Sequence, residues 1–220
     1  MREQAKIVLS VTKICVAFGF AIFIVVITTA SSKEVTKYLI DQYVSIIAII
    51  FFFDLYLLEC EQNTAESFYL QIRYKSKIFL LRILLCEVVS VIVALLSWLL
   101  LYIKTQNATN AINISVRDMF IESLFAYAGT TFFFGVFSLT IANIFYNKWI
   151  GAITSALLMG LYASTKSETI PPILNIFSFG YLTTNNGFYE DWWVSKIIYI
   201  VIAIVLLAIN IPIIKQPPRL

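Results

Sequence analysis

Apolar residues in this chain gather into six long runs, and most of the charged residues lie in the gaps between them. The runs cover 14–31 (ICVAFGFAIFIVVITTAS), 43–58 (YVSIIAIIFFFDLYLL), 78–103, 119–145, 148–164 and 194–214. A run of about 20 predominantly apolar residues is what a helix needs to cross the hydrocarbon core of a bilayer. The pattern predicts an all-α integral membrane protein, one transmembrane domain of six spans. The first run is too long for a cleaved signal peptide, lacks a small-residue cleavage site, and is followed by further spans.

Composition agrees with this reading. Sixty per cent of the 220 residues are hydrophobic and 13% are charged, whereas soluble domains carry about 25% charged residues. Histidine is absent, and the three cysteines (Cys15, Cys60, Cys86) show no CxxC spacing. Neither a zinc site nor a disulfide framework is expected.

Orientation is read from Lys and Arg near the span ends. With the N-terminus inside, ten basic residues (Arg2, Lys6, Lys13, Arg73, Lys75, Lys77, Arg82, Lys148, Lys215, Arg219) face the cytoplasm. Six (Lys33, Lys37, Lys104, Arg117, Lys166, Lys196) face outward. Both termini are expected in the cytoplasm of a plasma membrane, with a bacterial one suggested by the Ile, Lys and Phe bias. The N-terminal residues also have an amphipathic cast. Ile7, Val8 and Val11 share a helical face, and Arg2, Lys6 and Lys13 are placed to reach lipid phosphates.

Two gaps carry information. The segment 165–193 holds apolar pieces (Ile170, Ile173, Leu174, Ile176, Phe177, Phe179) broken by Pro171, Pro172 and Gly180. Such a stretch suits a re-entrant or an interfacial segment better than a span. Trp192 and Trp193 mark the headgroup level before the last run. The other gap, 59–77 (ECEQNTAESFYLQIRYKSK), is the longest polar interruption between spans on the cytoplasmic side. From Asn63, which can cap a helix with Glu66 three residues on, Ala65, Phe68, Tyr69 and Ile72 fall on one apolar stripe. That stripe lies on the membrane or fits a groove on a partner; a solvated loop with snorkelling basic residues is the other reading.

The order Glu59, Glu61, Thr64, then an apolar-striped helix, then a basic re-entry at Lys77 and Arg82, resembles the permease subunits of ABC-2-type exporters. Many members carry Gly before the Thr; this chain has Asn63. The resemblance extends to the six-span layout, the N-terminal amphipathic segment and the proline-containing outer segment. It implies that 59–77 is a coupling helix docked on a cytosolic ABC ATPase dimer. The contacting residues implied are Glu59, Glu61, Thr64, Ala65, Phe68, Tyr69, Ile72 and Arg73, with the aromatics as anchors. It also implies a second permease copy or a homologous subunit, and an amphipathic or hydrophobic cargo, peptides or antibiotics among them. The chain has no GxxxxGK[ST] loop, so ATP and magnesium would be used by the partner and this chain would bind no cofactor.

Charged residues inside the runs are the remaining candidates, because such groups are costly in lipid and mark pairing or a functional path. Asp54 and Arg82 sit at similar depths in the second and third runs, which suggests an ion pair between them. Glu87 lies deeper with no evident partner, facing a cavity or carrying a proton. Asp118 and Glu122 lie near the outer end of the fourth run, as boundary residues. An enzyme is disfavoured: there is no His and no GxSxG, and Glu59 and Glu61 would project about 200° apart on a helix. The rival to a permease is an ATP-independent carrier, channel or accessory membrane protein. No feature points to nucleic acid.

Overall fold

The computed structural model describes residues 9–30, 33–57, 75–105, 115–164, 170–180 and 190–215. Their regular structure is entirely helical: α1 (Val11–Ile27), α2 (Lys33–Phe52), α3 (Lys75–Lys104), α4 (Val116–Phe145), α5 (Lys148–Ser164) and α6 (Trp192–Lys215). Two 3₁₀ turns, Pro172–Leu174 and Ser178–Gly180, lie between α5 and α6. Each apolar run corresponds to one helix. Four of them, α2, α3, α4 and α6, are long and apolar enough to cross a membrane. The other two, α1 and α5, have 17 residues each. The chain is a helical membrane protein. The coupling residues Glu59, Glu61, Thr64, Ala65, Phe68, Tyr69, Ile72 and Arg73 lie outside the described residues, as do Arg2, Lys6, Ile7 and Val8.

Contacts between helix ends show that successive helices run in opposite directions. The starts of α2 and α4 meet through Lys37 and Glu122. The ends of α1 and α3 meet where Lys104 Nζ donates to the carbonyls of Val25, Val26 and Thr28 at 2.7–3.0 Å. At the opposite end, the start of α1 meets the chain just beyond α2 through Lys13 and Asp54. Phe53 and Trp149 rings approach there too, with centroids 6.0 Å apart. These ends are called below the Lys37 end and the Lys13 end.

Helix α4 is the hub and packs on α2, α3, α5 and α6. It buries Tyr127, Phe134 and Leu139 completely, as a helix must when apolar on every side. The outer helices instead turn apolar side chains outward: Leu84, Val88, Ile92 and Leu96 on α3, Ile153, Leu157 and Leu161 on α5, and Val201 and Val205 on α6. In water this surface would be a large liability; against acyl chains it is the correct solvent.

Helices α4 and α5 form a tight hairpin. Tyr146 ends α4 in the left-handed region at φ 50°. Asn147 Oδ1 then accepts the Trp149 amide at 2.9 Å and starts α5. Close approach follows from Gly151: a Cβ there would lie 2.5 Å from the Ser138 carbonyl oxygen. Gly151 thus meets backbone directly, while Gly160 has open space around it.

Residues 170–180 fold back into the bundle at the Lys37 end. Ile176, Phe177 and Phe179 are buried, whereas Ile173 and Leu174 remain exposed. Phe177 stacks on Phe134 with ring planes 11° apart. Phe134 lies one turn along α4 from Thr130, towards the Lys13 end. Irregular backbone at such depth survives only where protein groups satisfy it. Here Asn175 Oδ1 accepts the Phe177 amide, Tyr199 donates to the Leu174 carbonyl, and the Ser178 and Ser195 hydroxyls meet at 2.7 Å.

Candidate functional site: charged groups inside the bundle

A central site is built from one residue on each of three helices: Asp41 on α2, Thr130 on α4 and Lys196 on α6. Lys196 Nζ donates to Asp41 Oδ2 at 2.7 Å and to Thr130 Oγ1 at 2.6 Å. Thr130 in turn donates to Asp41 Oδ1 at 2.7 Å. The ring is closed, with both carboxylate oxygens occupied by donors. The Lys196 and Asp41 side chains are 0% and 1% exposed. Gly129 makes room for it, since a Cβ there would lie 3.3 Å from Lys196 Cβ. An ion pair this deep is tolerated because each charge is paired and hydrogen-bonded.

Around it lies a second layer. Lys37 pairs with Glu122, and its ammonium sits 5.0 Å from the Tyr38 ring and 5.3 Å from the Phe179 ring. Tyr127 donates to the Lys37 carbonyl at 2.9 Å. Glu122 is thus a pairing residue as well as a boundary residue, while Asp118 remains exposed. Nearer the Lys13 end, Asn210 donates to Thr140 at 2.7 Å and accepts from Asn143 at 2.8 Å, joining α4 to α6.

Three expectations are corrected. Asp54 pairs with Lys13, not with Arg82. The chain leaves helical geometry after Phe52 and turns Asp54 towards the start of α1. Arg82 is buried in α3, engaged in contacts of its own. Lys13 was expected to reach lipid phosphate, but its ammonium points inward to Asp54. Lys196 was counted as an outer loop charge and is instead a core residue. A charge exchange tests the first correction. Lys13→Asp or Asp54→Lys alone should lower stability in detergent by about 3 kcal/mol, as expected for an unpaired buried charge. The double exchange should recover most of it. An equal loss in the double variant would mean that the two charges do not act as a pair.

Glu87, on α3, differs from the other internal acids. Its Oε1 lies 2.6 Å from Thr131 Oγ1, and its Oε2 is buried with no hydrogen-bond partner. The neighbouring Cys86 thiol is directed at the Phe51 carbonyl instead.

Comparison of the chain with protein-family models, characterised proteins and solved structures finds no match.

The sequence reading singled out Asp54, Arg82 and Glu87 and passed over Asp41 and Lys196. Asp41 fell just outside the predicted run 43–58, and Lys196, at the start of the run 194–214, was counted with the outer charges. One signal was available: an acid and a base, each within a few residues of a strongly apolar run, must be paired if their helices extend to include them.

Proposed function

We propose that the chain is the membrane-spanning permease subunit of an ATP-driven exporter of the ABC-2 type. On this reading it moves an amphipathic or hydrophobic cargo, a peptide or antibiotic in the first instance, by alternating access. The observation that carries the reading is the alternation of helix direction. It brings the end of α2 and the start of α3, and so both attachments of the 59–77 segment, to the Lys13 end. The folded-back segment 170–180 lies at the Lys37 end. A cytosolic docking element on one face and a proline-containing segment on the other is the arrangement that the ABC-2 resemblance implies. The Lys13 end is then cytoplasmic, and α1 and α5 complete six spans.

In this mechanism a separate ATPase dimer closes on ATP, displaces the 59–77 segment and tilts α2 and α3, which it joins. The Asp41–Thr130–Lys196 ring ties α2 to α4 and α6, so movement of α2 is carried into the hub. A second permease copy or a homologous subunit completes the path. Purification in mild detergent from the native host, followed by mass spectrometry of bound proteins, tests the proposal. A soluble protein with a phosphate loop should copurify and be lost when Phe68 and Ile72 are changed to Glu. In the intact complex, Phe68→Ala should leave ATP hydrolysis running while transport falls.

A second reading, an ATP-independent carrier, draws on the buried Asp41–Lys196 pair, since intramembrane acid–base pairs also occur along ion pathways. Recovery of the chain alone, folded and homo-oligomeric, would favour it.

A further inference from the structure

Four acids with described side chains take part in contacts between the helices, and three of them have a lysine. Asp41 has Lys196, Asp54 has Lys13 and Glu122 has Lys37. Glu87 has none among the described residues. Yet it sits well inside α3, about 18 Å from the Lys75 end and about 25 Å from the Lys104 end at 1.5 Å per residue. Arg82, buried in the same helix, lies five residues nearer the Lys13 end, about 7 Å along the axis.

Hydrogen counting adds a second observation. Thr131 has one hydroxyl proton. Its Oγ1 lies 2.6 Å from Glu87 Oε1 and 2.8 Å from the Tyr127 carbonyl, the usual acceptor for a helical threonine. That proton serves one acceptor at a time: an ionised Glu87 takes it at Oε1, whereas a protonated Glu87 donates to Thr131 and Thr131 to Tyr127. In both states Oε2 is a buried acceptor without a donor. The closed ring at Asp41 has no such vacancy.

The third observation is position. Glu87 is half-buried at the α3–α4 seam, at the edge of the outward apolar stripe of Leu84, Val88, Ile92 and Leu96. A molecule reaching Oε2 from the bilayer would lay an apolar tail along this stripe.

We infer that Glu87 is a binding site for the amine group of an amphipathic molecule that enters sideways from the bilayer at the α3–α4 seam. A neutral amine dissolved in the bilayer meets the protonated carboxyl at Oε2: the carboxyl turns its proton from Thr131 to the amine, the O–H bond breaks as an N–H bond forms, Thr131 donates to Oε1 in its place, and the ammonium remains paired with the carboxylate. No other reactant is needed. Charge-assisted hydrogen bonds of this kind are about twice as strong as neutral ones. Under the proposed function this makes the cargo, or part of it, amine-bearing; the site itself does not depend on an ATPase.

The test uses the purified full chain in phosphatidylcholine nanodiscs, without any ATPase, so that it can fail independently of the permease reading. Dicyclohexylcarbodiimide, an apolar reagent for protonated carboxyls, should label Glu87, as mapped by mass spectrometry. It should leave Asp41 unlabelled, and Glu87→Gln should abolish the adduct. Dodecylamine at about ten times its dissociation constant should slow labelling about tenfold, and dodecanol should not. Absence of the Glu87 adduct in the wild-type chain overturns the inference, as does labelling that dodecylamine leaves unchanged. Equal protection by dodecanol overturns it too, because the tail alone would then account for occupancy.

Discussion

Lys196→Met should destabilise the bundle by about 3–5 kcal/mol, the cost of leaving a buried charge without its partner. Asp41 would then keep only the Thr130 hydroxyl, in a site with almost no exposure to solvent. Asp41→Leu should do comparable damage by stranding the ammonium. The double variant Asp41→Leu/Lys196→Met should recover most of the loss, because apolar replacements of similar volume often equal or exceed a buried ion pair in stability. Thr130 still has the Ala126 carbonyl at 3.1 Å to accept its proton. Unfolding in detergent, followed by circular dichroism, separates the cases. Additive losses in the double variant would mean that the ring is not a unit. A stable double variant that no longer transports would assign the ring to the movement of α2 against α4 and α6.

The second large effect is expected from a single methyl group. Gly151→Ala places a carbon 2.5 Å from the Ser138 carbonyl oxygen and 2.7 Å from Ala142 Cβ. Neither is the far end of a flexible side chain, so α5 must move away from α4. Overpacking of this kind costs about 1–3 kcal/mol. It also sets the hairpin at Tyr146 and Asn147 against the helix contact below it. Gly160→Ala, on the same helix, is the control. It meets nothing within 4 Å and should gain up to about 1 kcal/mol from the better helix propensity of alanine. Melting temperatures that move in opposite directions would support the close approach. A shared gain would show that α5 is free to slide.

Much of the architecture is legible in the apolar runs, because a span must satisfy its own backbone and so declares itself by length and composition. All six runs became helices. The largest displacement is in α2, predicted from 43 and observed from Lys33. Lys37 and Asp41 made that stretch look polar. Their charges are neutralised by Glu122 and Lys196, 85 and 155 residues away along the chain, and no local pattern can reveal a partner at that distance. The same limit explains the mistaken pairing of Asp54 with Arg82. Equal depth on adjacent runs is a fair guide to contact, but it ignores the turn after Phe52, which directs Asp54 towards α1. Glu87 was recognisable because nothing near it in sequence could match its charge, and the fold among the described residues supplies no lysine either. The apolar stripe of Ala65, Phe68, Tyr69 and Ile72 stands on sequence alone.

The separation of 155 residues between Asp41 and Lys196 also sets a problem of timing. A ribosome delivers α2 first, and α6 follows only after the intervening residues, about ten to thirty seconds later at ordinary elongation rates. During that interval Asp41 lacks Lys196, and the nearest cation is Lys37, one turn away on α2 and itself still without Glu122. α2 must therefore wait with that local pair, or at the edge of the insertion machinery where water can reach it, until the last helix arrives. The bundle closes from its final helix backwards. A chain stalled before residue 196 should be held in the membrane by α3 and α4 yet unfold in detergent more readily than the finished protein.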